Sequence, residues 1–360
     1  MKKSKAKLLL NAEPFGFGPS AAIATFFPYL RDRFEHLGYV GVRHTLDLQK
    51  DLAYDAIHDV SGFLEDEVKK VLGRYDIFFT ALDFEAAALA KSLGLKVLIY
   101  DPLTWYWKVV PEVVRQSEMY LAQDFFGVKE RLRDESTMFP SMVRVVPPIV
   151  SQKRSRLSRK YTLINLGGLQ NPAWSLEDVV RYAKIFIQAI TDCVSHENVI
   201  IATSNAIAVR LDDSRARNYN RAAMHDILEN TKYAFMTPGL GNIYDAAKFA
   251  IPTVWLPPAN DSQGQQLEVL RKHGLSDSHI DWADLGKPIR YADAQATVLE
   301  NIKEAIYADI DYAMLRNVVR RTYEEIKKKD DGAAGALLDM FGVGGAEKIS
   351  DIVFEYSQSL

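Results

Sequence analysis

The segment 237–274, TPGLGNIYDAAKFAIPTVWLPPANDSQGQQLEVLRKHG, holds the residues best suited to a phosphorylated ligand. Gly239 and Gly241 let the backbone approach a ligand closely. A helix beginning near Asn242, after Leu240, would aim its free N–H groups and positive dipole end at the same turn. That is a seat for a pyrophosphate. Asp245, one helical turn further on, has two oxygens that can accept from both hydroxyls of a ribose. The same letters also suit an ordinary turn followed by a dipole-favoured aspartate.

Spacing separates the two readings. Gly239 precedes Asp245 by six positions, Pro252 follows it by seven, Gln263 and Gln266 close the block, and Met224 stands fifteen residues before Gly239. This register resembles the donor-binding region of the MurG-like, UDP-glycosyltransferase-like branch of the B-type (GT-B) glycosyltransferases. The resemblance implies that Asp245 binds the donor ribose and that the backbone of 239–242 holds the phosphates. It also implies that Gln263 and Gln266 contact the donor sugar, that the stretch at Asn220, Arg221 and Met224 presents backbone to the base, and that Gly167 and Gly168 line an interdomain cleft. Two positions depart from the family pattern: Ala250 stands where a glycine is usual and Gln266 where an asparagine is usual.

The loop 11–20, NAEPFGFGPS, follows the first expected strand, where B-type transferases keep an acceptor-side loop. Sugar transfer with inversion needs a base within hydrogen-bond reach of the acceptor. MurG-like proteins carry a histidine in this loop and this sequence has none, which leaves Glu13 as the nearest replacement and Asp101, ending another strand, as the second candidate. Gly16 and Gly18 permit close approach, and Phe15, Phe17, Trp105, Tyr106 and Trp107 suit an aromatic-lined acceptor pocket. Gly16, Gly18 and Ala21 also meet a loose dinucleotide fingerprint, but the second strand ends near Arg43 and His44 without the ribose-binding acid that an NAD site needs.

No metal site is expected: the histidines show no paired spacing, and Asp309 and Asp311 form an Asp-x-Asp pair between two helices rather than beside a strand. No cofactor is expected either, the nucleotide sugar being a co-substrate. The basic stretch with Lys153, Arg154, Arg156, Arg159 and Lys160 reads as a solvated linker, although phosphates or a nucleic-acid acceptor would also suit it.

These residues need elements to carry them. Expected strands at 7–12, 76–81, 96–101, 119–124 and 143–150 alternate with helices at 21–37, 61–72 and 84–93. After a junction at 151–160, strands at 161–166, 198–203, 233–237 and 253–256 alternate with helices at 175–190, 221–229, 241–250 and 263–273. Amphipathic helices at 293–308 and 312–329 follow. The fold class is α/β, with two Rossmann-like doubly wound domains facing a cleft: 1–150 for the acceptor, 151–335 for the nucleotide sugar, and a helical tail at 336–360 that returns toward the first domain.

Composition agrees with this reading. With 360 residues, 48% of them hydrophobic, the chain exceeds one comfortable core, and a net charge of −3 gives no global pull toward nucleic acid or anionic membrane. The single Cys193 excludes an internal disulfide and suits a cytoplasmic setting. The lysine-rich start precedes an apolar run of only 8–10, too short for a signal peptide. The activity that the resemblance implies is hexosyl transfer, metal-independent and inverting, from a nucleotide-diphosphate sugar with UDP as its nucleotide to a small-molecule or polymer acceptor. The rivals are an epimerase or hydrolase of the same fold and a non-catalytic nucleotide-sugar-binding subunit.

Overall fold

The computed structural model describes residues 3–62, 64–151, 156–171, 173–194 and 198–360. Lys153 and Arg154 of the basic stretch lie outside them. The chain divides into two units, one of 1–151 with 341–360 and the other of 152–340.

The first unit is built on a seven-stranded parallel sheet. Its strands are β1 (Ser4–Ala12), β2 (Phe34–Gly41), β3 (Ala56–Asp59), β4 (Ile77–Ala81), β5 (Lys96–Asp101), β6 (Met119–Gln123) and β7 (Val143–Val146). They lie in the order β3-β2-β1-β4-β5-β6-β7. β1 pairs with β2 on one side and β4 on the other, so Leu8, Leu9 and Leu10 are wholly buried and read as a continuous apolar run rather than an alternation. The helix Gly18–Arg31 covers this sheet with Ile23, Phe26, Phe27 and Leu30, one stripe at helical spacing. The last helix, Gly345–Gln358, adds Ile349, Val353 and Phe354 to the same core. Its entry is tight: the amide of Gly345 donates to Pro148 O at 3.0 Å, and a Cβ there would collide with Pro147 O.

The second unit repeats the scheme with six parallel strands: β8 (Tyr161–Asn165), β9 (Asn198–Ala202), β10 (Ala216–Arg217), β11 (Thr231–Met236), β12 (Thr253–Trp255) and β13 (Ser278–His279). Their order is β10-β9-β8-β11-β12-β13. The helix Leu176–Cys193 starts with a reciprocal cap: Asp178 N donates to Ser175 Oγ at 3.2 Å and Ser175 N to Asp178 Oδ2 at 2.8 Å. Its buried face, Val179, Tyr182, Phe186 and Ile190, packs with Trp282 and the helices Gln295–Tyr307 and Tyr312–Ile326. Both units are Rossmann-like α/β layers.

The helix expected over 21–37 stops at Arg31, and β2 begins at Phe34. Phe34 and Leu37 fit helical spacing equally well, but β2 is sandwiched between β1 and β3 and takes the β-forming Tyr39 and Val40 into the sheet. The edge strands β3, β10 and β13 have no counterpart in the expected elements, since two to four residues at a sheet edge leave no readable period. Among the described residues, no helix is long and apolar enough to cross a membrane.

Candidate functional site

In each sheet the order of strand addition reverses once, while all strands stay parallel. In the second unit β8, β9 and β10 run outward one way and β11, β12 and β13 the other, so the loops after β8 and β11 meet at the switch point, where open α/β sheets bind ligands. The loop after β8 is Leu166, Gly167 and Gly168. The loop after β11 is Thr237, Pro238 and Gly239, and it feeds the helix Leu240–Phe249.

Gly239 is the N-cap of that helix and offers no side-chain cap. The first intrahelical bond is from Ile243 N to Gly239 O at 3.0 Å, so the amides of Leu240, Gly241 and Asn242 precede the helical ladder. Gly241 is exposed, with nothing within 4 Å of a Cβ added there. The Asn242 side chain is turned inward: its Nδ2 donates to Thr237 O at 2.9 Å and to Thr237 Oγ1 at 3.0 Å, and its Oδ1 accepts from Asn165 Nδ2 at 3.0 Å. Asn165 Oδ1 accepts from Gly167 N at 3.0 Å, and Thr237 Oγ1 donates to Gly167 O. One buried polar knot thus fixes both switch-point loops against the helix start.

Gln263, in the helix Asp261–Lys272, braces the same loops. Its Nε2 donates to Gly168 O at 3.0 Å and its Oε1 accepts from Ala259 N at 2.9 Å. Gln266 is buried, and its Oε1 has no hydrogen-bond partner among the described residues. Asp245 is half-buried beside Arg221 and Lys248. Burial outweighs these two cations and pushes its carboxyl up to about 6. Arg221 opens the helix Arg221–Glu229, which Asn220 caps by accepting from Ala223 N at 2.9 Å, and Met224 lies half-buried on it. The structure therefore brings Gly167, Gly168, 239–242 and Gln263 together, and Asp245 with Arg221. Ala250, at the family's glycine position, adopts the left-handed conformation with φ of 47° that a glycine there would favour.

In the first unit the switch point lies between β1 and β4. Glu13 follows β1, its amide donating to Ala81 O at 3.0 Å. Asp83 follows β4 and caps the helix Phe84–Ser92 by accepting from Ala86 N at 2.9 Å. Between them Leu82 takes a φ of 68°, and Arg43, at the end of β2, one of 49°. Backbone held off its ordinary conformations thus flanks the Glu13 loop on both sides. Burial, with the negative charges of Asp83 and Glu85, pushes the Glu13 carboxyl up to about 8, and burial likewise raises Asp83.

Asp101 differs from Glu13. It is wholly buried and raised by burial to about 6, and its oxygens accept from Leu103 N at 2.5 Å, Trp107 Nε1 at 2.7 Å and Tyr120 Oη at 2.5 Å. It organises the aromatic loop. Trp107 is thereby tied inward and packs edge-on to Phe84 at 5.3 Å, while Trp105 packs on Phe125 at 5.5 Å. Phe15 and Phe17 are half-buried, and Gly16 needs its glycine for a φ of 65°.

A residue absent from the expected site completes this loop. His44, in the turn Arg43–Leu46, places Nε2 at 2.9 Å from Gly16 O and its ring edge-on to Phe17 at 5.3 Å. A carbonyl only accepts, so Nε2 carries the hydrogen. Burial pushes this imidazole below its ordinary pKa. The only sequence signal was a histidine at the end of the neighbouring strand.

Among the described residues, no group of three or more His, Cys, Asp or Glu is placed to hold a metal ion. Asp309 and Asp311 are exposed, and Asp311 caps the helix Tyr312–Ile326. Arg156 and Arg159 of the basic stretch pair with Asp331 at 2.9 Å and Asp330 at 3.1 Å.

Known structures share this fold over nearly the whole chain at low sequence identity. The structure of Os79 from O. sativa, in complex with U2F and trichothecene, is 12% identical, with 98% of this chain and 100% of that chain covered at a TM-score of 0.54. This protein has the GT-B fold. MurG of Acinetobacter baumannii is 11% identical over 97% of this chain and 99% of its own, with a TM-score of 0.52. The glycotransferase of kitacinnamycin is 14% identical over 98% and 99%, also with a TM-score of 0.52. No protein-family model and no curated protein match the sequence. The GT-B likeness covers both switch points described above and bears on the fold alone.

Proposed function

We propose that the protein is a glycosyltransferase using a nucleotide-diphosphate sugar, with UDP as the nucleotide, and that its second unit holds the donor. The observation that carries this reading is the helix start at Leu240, Gly241 and Asn242, placed at the switch point beside Gly167 and Gly168 with Asp245 one turn beyond. Amides ahead of the helical ladder would donate to the diphosphate oxygens and stabilise their charge as the group leaves, with no metal needed. Asp245 would bind the ribose hydroxyls, with Arg221 and Met224 on the base side. The carboxamide atoms of Gln263 are taken up by Gly168 and Ala259, which favours a bracing role for it.

Glu13 is the base in this reading. Its carboxylate takes the proton of the acceptor hydroxyl, the acceptor oxygen attacks the anomeric carbon, and the bond from that carbon to the diphosphate oxygen breaks with inversion. A carboxyl near 8 is a stronger base than an ordinary glutamate and is still available close to neutral pH. Asp101, whose oxygens already serve three donors, supports the acceptor side through Trp107. Phe15, Phe17 and Trp105 suit a small apolar acceptor, and the complex of Os79 with trichothecene gives that class a precedent in the fold.

A thermal-shift panel of nucleoside diphosphates tests the donor half, since a ligand that binds only the folded state raises the melting temperature. Uridine diphosphate is expected to give the largest rise, and Asp245→Ala to abolish it. An unchanged rise in that variant would remove the donor site. Incubation with donor alone separates transfer from epimerisation or hydrolysis by its products.

A further inference from the structure

We propose that Lys248, anchored by His225, is a positioning residue for the donor: it keeps the Asp245 carboxylate ionised, with both oxygens free to accept from a ribose. This rests on the reading of Asp245 as the ribose-binding residue and adds a pH dependence to it.

Lys248 lies three residues after Asp245 on the helix Leu240–Phe249, hence on the same face. Its side chain is only 8% exposed, an uncommon place for an ammonium group and costly without partners. The ammonium is 2.7 Å from His225 Nε2 and 5.1 Å from the Phe249 ring centroid. An ammonium only donates, so His225 Nε2 accepts and the imidazole is neutral, with its hydrogen on Nδ1. Nδ1 lies 3.7 Å from Glu229 Oε1, and the ring stands edge-on to Phe249 at 5.0 Å. The chain Glu229, His225, Lys248 therefore crosses from the helix Arg221–Glu229 to the helix that carries Asp245.

The charged groups acting on Asp245 are Arg221 from the neighbouring helix and Lys248 from its own. They oppose burial, which leaves the carboxyl at about 6. That value is about one unit below neutrality, and a carboxyl protonated on one oxygen becomes a donor there and loses half of its capacity to receive the diol. Removing one of two cations narrows the margin.

The test is calorimetric titration with uridine diphosphate from pH 5.5 to 8.5, using wild type, Lys248→Met, Lys248→Arg, His225→Asn and Asp245→Asn. Wild-type affinity is expected to fall below pH about 6. In Lys248→Met the fall should begin about one unit higher, giving roughly threefold weaker binding at pH 6.5, nearly tenfold weaker at 5.5, and wild-type binding at 8.5. Lys248→Arg should restore the wild-type profile, and His225→Asn should shift it part of the way. An equal loss at every pH, or an unshifted profile in a folded Lys248→Met, overturns the proposal and leaves the donor site standing. If Lys248→Met does not fold, an unshifted profile in His225→Asn overturns it. Unchanged affinity in Asp245→Asn overturns the donor-site reading, and the proposal with it.

Discussion

His44 Nε2 donates to the carbonyl oxygen of Gly16 across 2.9 Å, tying the turn after β2 to the loop after β1. The loop that carries Glu13, Phe15 and Phe17 is thus held at its centre by an imidazole from the turn after the neighbouring strand. Removing that donor leaves the Gly16 carbonyl without this partner. His44→Ala is expected to cost about 1 kcal/mol of loop order, roughly fivefold in acceptor KM with little change in donor affinity. Steady-state kinetics with each substrate varied separately check the split.

The Glu13 base is active when deprotonated, so kcat/KM should rise with pH through about 8. Asp83→Asn removes the first of the two negative neighbours that raise this carboxyl, and the rising limb should move to lower pH. Glu13→Gln should lose turnover by two orders of magnitude or more while nucleotide binding persists, in line with about 10²- to 10⁴-fold for general base catalysis. A limb unmoved in Asp83→Asn would separate the pair.

The same group bears on stability. The folded state raises Glu13 from 4.5 to about 8, so it favours the protonated form, and the contribution is full below 4.5 and lost as pH rises through 8. Glu13→Gln should therefore melt above wild type at pH 9 and closer to it at pH 5. Calorimetric scans at the two pH values measure this.

Asn242 carries three of the hydrogen bonds that fix the switch-point loops of the second unit. Asn242→Ala leaves Asn165 and Thr237 without those partners, and is expected to cost roughly 2 kcal/mol of stability and to weaken uridine diphosphate binding. Asn242→Asp tests the geometry separately, because it keeps the acceptor for Asn165 and loses the donor to Thr237. Chemical denaturation and titration calorimetry report the two effects.

Ala250 holds a φ of 47°, ψ of 48° at the end of the helix Leu240–Phe249. A Cβ makes that conformation unfavourable by about 1–2 kcal/mol, partly offset by the greater freedom of glycine in the unfolded chain. Ala250→Gly should stabilise the protein by about 1 kcal/mol, a rise of roughly 2–4 °C in melting temperature for a unit of this size. Destabilisation would mean that the buried methyl contributes more through packing than it costs in strain.

What the sequence by itself determined is local. The alternation of apolar runs with amphipathic helices specified two doubly wound layers, and Gly239, Gly241 and Asp245 marked a glycine turn opening a helix, because each of these patterns is written within a few residues. The tertiary structure decided which groups are spent on the scaffold and which remain for chemistry. Gln263 meets Gly168 from 95 residues away and Asn165 meets Asn242 from 77. His44 reaches Gly16 across 28. Glu13 and Asp101 are both carboxylates at strand ends, alike on the page of letters. Only folding takes up Asp101 with three donors and sets Glu13 beside Asp83, since sheet order, not spacing in the chain, determines which loops become neighbours.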